Sequence, residues 1–407
     1  MARIEGIRIQ NFRVLRDVTL GKLSHEQGAE PLTPLTVVIG RNGCGKTTLF
    51  DAFGFLSDCL NSGVEAACDM QQRGGFDRLV SRGSSGPIRF EVYYREGPQE
   101  RPISYELSIG LDRSSRPYVE AEVLRQRRKG ESHGRPFAFL RLDRGKGTVW
   151  SGSEAVESGT EDAGSQPVEL TDPRQLGIAT LGTLREHPRI TRFRDFLKGW
   201  YLSYFAAGSV RHLAPSGPQL HLNVHGDNMA NVVQFMEREY PGRFRQILAL
   251  IATKIPGVER IETKVTDDKR ILLRFNDGSY QDPFVAQQMS DGTLKMFAYL
   301  LMLEDPSPPP FICIEEPENG LYHKLLAALG GEFREFAVRH GGPQMLVTTH
   351  QPHFVNALSP GEVWLLHKGD DGFARALRAS DLPLVRNLVA EGLELGGLWF
   401  SEYLEPM

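Results

Sequence analysis

The segment Gly40-Arg41-Asn42-Gly43-Cys44-Gly45-Lys46-Thr47 constrains this chain more than any other, because it matches G-x-x-x-x-G-K-[ST] at every fixed position. It lies between a short apolar run, Leu35-Thr-Val-Val-Ile, and a helical pattern from Lys46 to Leu60 with Leu49, Phe50, Phe53, Leu56 and Leu60 on one face. Strand, loop and helix in that order are what phosphate binding needs. Gly40, Gly43 and Gly45 let the backbone curl until its N–H groups face phosphate oxygens, and the positive end of the following helix favours the anion. Lys46 is placed to reach the β and γ phosphates and the Thr47 hydroxyl to hold Mg²⁺, with Arg41, Asn42 and Thr48 in the same turn. A helix N-terminus lowers a thiol pKa, yet Cys44 reads as a passive loop position before it reads as a redox switch.

A phosphate loop that drives chemistry also needs carboxylates at a neighbouring strand tip, to hold the magnesium shell and to polarise water. Phe311-Ile-Cys-Ile-Glu315-Glu316-Pro-Glu318 is such a strand: Glu315 is assigned to the metal and Glu316 to the attacking water, with a plain acidic surface cluster as the alternative. Met345-Leu-Val-Thr-Thr-His350 is a further apolar run, one strand later, whose histidine is placed to meet the γ-phosphate. Strand-end histidines are more often structural, so this role depends on the residues around it.

The rest of the chain supplies the frame. Ile88 to Tyr94, Ile103 to Ile109 and Tyr118 to Leu124 alternate as strands of an antiparallel sheet, and residues 151–166, rich in Ser, Gly and acidic side chains, read as an exposed loop. Helical patterns dominate from Arg189 to Ile255, before strands at Val258 and Ile271 and an alternation of helix and strand to Leu366. Three parts follow: 1–150, an N-terminal part with the phosphate loop and a β lobe; 151–256, a loop and helical insertion; and 257–407, a C-terminal part. The four cysteines form no CxxC pair, which removes sequence support for a zinc ribbon or a thioredoxin-like site. A net charge of -4 argues against a basic nucleic-acid coat. No stretch approaches the roughly 20 apolar residues of a spanning helix, and the first residues lack the apolar core of a signal peptide, so the expected location is the cytoplasm, away from membranes.

Taken together, Ile7-Arg-Ile-Gln-Asn-Phe-Arg13, the phosphate loop, Met289-Ser290-Asp-Gly292-Thr293-Leu294, Ile314-Glu-Glu-Pro-Glu-Asn-Gly-Leu321 and Thr348-Thr-His-Gln-Pro352 resemble the AAA-type ATPases of the ABC superfamily. These are relatives of the ATPase domain of OLD-family nucleases and, more distantly, of RecF and the SMC heads. The resemblance implies an α/β fold, an ABC-type P-loop ATPase head with a mostly parallel core sheet, an antiparallel β lobe and an inserted helical subdomain. It implies hydrolysis of ATP with Mg²⁺, with Lys46, Glu316 and His350 as the catalytic set. Ser290 and Gly292 resemble the signature that covers the γ-phosphate held by the opposite protomer, Asn319 and Gly320 the D-loop, His350 the switch histidine, and Arg13 the basic residue near the nucleotide. Glu315 stands where many relatives have Asp. No glutamine is placed as the Q-loop, Gln71 and Gln72 being weak candidates.

Other signals are weaker. Arg125, Arg127, Arg128 and Lys129, continuing through Arg135, Arg141, Arg144 and Lys146, form a basic hairpin that suits a nucleic-acid backbone or, more plainly, a charge-protected sheet edge. His221 and His225 lack the glutamate of HExxH and a third ligand. Asp227-Asn-Met-Ala230 offers a helix cap, and the tail from Ala390 reads as a docking element or a terminal loop. The leading expectation is a regulatory ATPase that forms a homodimer or larger oligomer on ATP and controls a separately encoded effector acting on nucleic acid, such as a nuclease, in antiphage defence. The stretch after His350 is short for a further catalytic domain. A RecF-like DNA-binding repair or clamp ATPase is the alternative, ahead of a transporter subunit or an ATP-gated scaffold.

Overall fold

Leu35–Ile39 is buried along its whole length, and its side chains alternate between two separate cores. Leu35, Val37 and Ile39 enter one core and Val38 the other, as the period of two requires in a sheet covered on both faces. The strand Phe311–Glu315, two places away in the same sheet, divides likewise, with Phe311 and Cys313 on one side and Ile312 and Ile314 on the other. The structure is a computed structural model that describes residues 2–26, 28–128, 136–150, 165–205, 207–254, 257–339 and 341–404. Lys129, Arg135 and most of the 151–166 loop lie outside the described residues.

Six strands make the sheet that holds Leu35–Ile39, in the order Trp200–Ser203, Phe311–Glu315, Gln344–Thr349, Leu35–Ile39, Val363–Lys368 and Ala374–Arg378. Every neighbouring pair in it is parallel except the last. Parallel register pairs Glu315 with Thr348 and Thr349 with Ile39, so the acidic turn, His350 and the phosphate loop leave the sheet at one edge. That edge is where open α/β sheets place their ligands.

The largest sheet is a different one and is antiparallel, so the mostly parallel sheet expected as the core is the smaller of the two. Eight strands, Leu15–Gly21, Arg3–Phe12, Ile88–Arg95, Ile103–Leu111, Pro117–Gln126, Phe137–Asp143, Lys146–Trp150 and Ser165–Glu169, pair antiparallel throughout. The cause is connection length. Parallel neighbours need a crossover of about a dozen residues or more, whereas the turns between Arg95 and Ile103 and between Leu111 and Pro117 allow only hairpins. This sheet packs on the helix Lys46–Ser62, where Phe55 meets the rings of Phe12 and Phe90.

Helices Pro188–Lys198, Met229–Glu239 and Pro241–Lys254 fall in the range read as helical, but so does the strand Trp200–Ser203. Part of that range therefore belongs to the six-stranded sheet, beside the acidic strand. A third, three-stranded sheet joins Val258–Val265, Ile271–Asp277 and Phe284–Val285. Helices Asp291–Leu303 and His323–Val338 fill the second core. Among the described residues no helix is long and apolar enough to cross a membrane.

Candidate functional site

Two glycines make the loop after Leu35–Ile39 possible. Gly45 has φ 112°, a left-handed conformation that side chains disfavour, and a Cβ there would stand 2.9 Å from Val14 Cγ2. At Gly40 a Cβ would collide with the carbonyl of Leu366 and the sulfur of Cys44. Lys46 is buried, and its Nζ donates to the carbonyls of Gly40 at 2.8 Å and Arg41 at 3.3 Å. Arg41, Asn42, Gly43 and Thr47 are exposed and Thr48 half-buried. Residues Arg41 to Cys44 face Leu365 to Lys368 across a cavity of about 380 Å³. Burial pushes the Cys44 thiol above its usual range, against any lowering by the helix end.

The acidic turn closes on this loop. Thr47 donates its hydroxyl to Glu315, whose carboxyl burial pushes up while the Thr47 bond pulls it down. Glu316 adopts φ 41°, a strained backbone held by its N–H donating to the Thr348 carbonyl at 2.9 Å. Its Oε1 lies 3.8 Å from Lys46 Nζ and 3.3 Å from His350 Nδ1, and Asn319 Nδ2 donates to its Oε2 at 3.1 Å. Lys46, Glu316, His350 and Asn319 therefore form one connected cluster. Thr47 and Glu315 offer a hydroxyl and a carboxylate, the hard oxygen donors that Mg²⁺ takes alongside water. The hydroxyl of Thr348, in register with Glu315 on the adjoining strand, is buried without a partner, so the surroundings fit a hydrated ion.

Ser290 caps the helix Asp291–Leu303 by accepting from the Thr293 N–H at 3.2 Å. Gly292 packs against Gly320, and Lys295, one turn later, donates to the Asn319 carbonyl at 2.8 Å. The signature-like and D-loop-like segments thus form one unit. Among the described residues neither Ser290 nor Gly292 hydrogen-bonds to the phosphate loop of its own chain.

Arg13 sits at φ 50°, and its Nη1 bonds Asp51, one turn past Thr47, at 2.7 Å. Arg73 holds the other oxygen of Asp51 at 2.8 Å and reaches Asp58 at 2.6 Å. Sequence reasoning missed Asp51 and Arg73, since their pairing joins segments distant in the chain. Gln71 and Gln72, the weak Q-loop candidates, are exposed with φ of 53° and 59°.

Several sequence candidates stand apart. In the basic hairpin Arg125 pairs with Glu106, Arg144 with Asp143 at 3.8 Å, and Lys146 with Glu169 at 2.7 Å, which leaves less positive field than the sequence promised. His221 bonds Asp305 at 2.6 Å, and the described residues hold no group of three or more His, Cys, Asp or Glu suited to a metal. Asp227 does not cap the helix Met229–Glu239. Asn228 occupies the cap position, but its side chain serves Gln219 and the His221 carbonyl. The tail folds into helices Pro383–Ala390 and Leu395–Phe400, and Glu402 pairs with Arg41 of the phosphate loop at 2.6 Å.

Residues 35–356 match the family described as "AAA domain, putative AbiEii toxin, Type IV TA system", and residues 7–58 match a second AAA-domain family. The fold is similar to an SMC head bound to the C-winged helix domain of ScpA, at a TM-score of 0.53 and 14% identity, over 93% of this chain and 99% of that one. It is similar also to an SMC head with an extended coiled coil, bound to the C-terminal domain of ScpA derived from Pyrococcus furiosus, at a TM-score of 0.51 and 12% identity, over 96% of this chain and 100% of that one. No curated protein matches in sequence.

Proposed function

This chain belongs to the AAA-domain family that its residues 35–356 match, and we propose that it is an ATPase that hydrolyses ATP to ADP and phosphate in sites completed by a second copy of itself. The observation that carries the reading is the position of Lys46 Nζ, 3.8 Å from Glu316 Oε1, with His350 on the same carboxylate. In this reading the loop from Gly40 to Thr48 cradles the phosphates and Arg13 lies on their nucleoside side. Thr47 and Glu315 would hold Mg²⁺, which supplies charge neutralisation at the β and γ phosphates. Glu316 takes the proton of a water whose oxygen bonds the γ-phosphorus as the bond to the β–γ bridging oxygen breaks and ADP leaves. Lys46 and His350 steady the charge on the transferred group.

One phosphate loop leaves the outer side of the γ-phosphate in water. Ser290 and Gly292, at the start of a helix that meets the acidic turn through Gly292 and Lys295, are the donors that would cover that side on a partner copy, so ATP would hold two subunits together and hydrolysis release them. The output we assign is control of a separate protein acting on nucleic acid, in antiphage defence. Its support is the resemblance to OLD-family heads, together with the SMC head of the same fold that is bound to a domain of ScpA.

The test is the solution mass with and without Mg-ATP, together with turnover, for wild type, Glu316→Gln and Ser290→Arg. Glu316→Gln is expected to lose turnover and keep an ATP-dependent assembly, which Ser290→Arg breaks. Wild type that hydrolyses ATP as a monomer at every concentration overturns the composite site.

A further inference from the structure

The motif Glu315-Glu316-Pro-Glu318 holds a third carboxylate to which the proposed chemistry gives no task. Glu318 is almost wholly buried, with its side chain 2% exposed. A buried carboxylate is costly unless hydrogen bonds and a counter-charge compensate it, so its contacts indicate what it is for.

Those contacts converge on His350. Glu318 Oε1 accepts from the Thr349 hydroxyl at 2.8 Å and from the His350 backbone N–H at 2.9 Å, and it lies 3.1 Å from His350 Nδ1. On the far side of the ring the Gln351 amide donates to Nε2 at 3.1 Å. A ring nitrogen that accepts carries no proton, so the neutral ring bears its proton on Nδ1, facing the carboxylates of Glu318 and Glu316. The compensating charge is Lys295, itself buried, which faces Glu318 and donates to the adjacent Asn319 carbonyl. Lys295 belongs to the helix that Ser290 caps.

We propose that Glu318 is a positioning residue for His350: it fixes the ring's orientation and tautomer from beneath the acidic turn and ties both to the helix bearing the signature-like Ser290 and Gly292. All three contacts fall on Oε1, so a glutamine would keep an oxygen for them, but without the charge that oxygen is a weaker acceptor for the Nδ1 proton, and its amide would take the place of the buried Oε2, which has no partner. The kinetic consequence rests on the ATPase reading, whereas the tautomer does not.

Two measurements on the full chain test this. The first is the ¹⁵N spectrum of His350, assigned by difference with His350→Gln. Wild type is expected to show the Nδ1–H form, and Glu318→Gln a shift toward Nε2–H. The second is turnover: Glu318→Gln is expected to lose about ten- to a hundredfold in kcat, as loss of a partner that orients a working residue does, with ATP affinity within about twofold of wild type. The Glu318→Gln, His350→Ala double variant is expected to be no slower than His350→Ala alone. A Glu318→Gln enzyme with wild-type turnover, an unchanged tautomer, or losses that multiply in the double variant would each overturn the proposal. Should Glu318→Gln fail to fold, the wild-type spectrum decides, and an Nε2–H ring sinks the idea. A wild type that does not hydrolyse ATP defeats the ATPase reading and leaves the spectrum as the test of this one.

Discussion

Gly292 approaches Gly320 so closely that a Cβ on the first would lie 2.7 Å from the carbonyl oxygen of the second. The contact joins the start of the helix Asp291–Leu303 to the acidic turn, so a methyl group at 292 must push the two apart. Overpacking of this kind costs about 1–3 kcal/mol. Gly292→Ala is therefore expected to weaken ATP-dependent self-association about tenfold or more while leaving nucleotide binding by the phosphate loop intact. Sedimentation with Mg-ATP beside a titration with a fluorescent nucleotide checks both halves. Assembly at wild-type strength would mean that this approach does not matter to the partner.

Gly45 is a different kind of glycine. Its φ of 112° is intrinsic to the turn, and a Cβ would also press on Val14 at 2.9 Å. Gly45→Ala is expected to open the loop and weaken ATP binding by about 1–3 kcal/mol, measured by calorimetry, with the thermal midpoint in the absence of nucleotide much less affected. Lys46→Ala should weaken binding too, but by removing charge from a loop of unchanged shape.

Arg73 is 1% exposed in its side chain and carries two aspartates, Asp51 and Asp58, on the helix that begins at Lys46. Removing one member of a buried ion pair leaves the others without compensation. Arg73→Met is thus expected to destabilise the chain by about 3 kcal/mol, read as a lower midpoint in urea. Arg13→Met, which breaks a pair whose arginine is 31% exposed, should cost far less. Equal losses would mean that burial does not distinguish the two.

These cases show why some of the site was legible in the sequence and some was not. Gly40 to Thr47 could be read because turn chemistry is local: glycine spacing, one lysine and one hydroxyl define it. Glu316 and His350 were legible as ends of apolar runs, since in parallel register such ends meet at one edge. Arg73 and Asp51 gave no signal, because neither has a periodicity or motif and their meeting depends on a loop returning to the helix face. Trp200–Ser203 was read through as part of a helical range for a related reason. A four-residue strand fits either period, and only pairing with Phe311–Glu315 settles it. The antiparallel strands were legible one by one, but not that they would make the largest sheet, since strand number in a sheet is a property of pairing.

Glu122 gives the structure a pH dependence away from the nucleotide. Its side chain is fully buried in the antiparallel lobe, where it accepts from the N–H groups of Gly177 at 2.5 Å and Ile178 at 3.1 Å and from the Tyr105 hydroxyl at 3.1 Å. Burial nevertheless dominates and pushes its carboxyl from 4.5 up to about 7. Between those values the folded chain keeps a proton that the unfolded chain has released. Stability from this group is therefore full below about pH 4.5 and falls as pH rises through about 7, by up to about 1.4 kcal/mol per unit. Above that range the charge is buried, restrained by three donors and with no cation among them. Glu122→Gln cannot titrate, so its unfolding midpoint should change less between pH 6 and pH 8 than that of wild type, whatever its absolute stability. An unchanged slope would assign the dependence to another group and mean that the three donors already hold Glu122 as a carboxylate at pH 6.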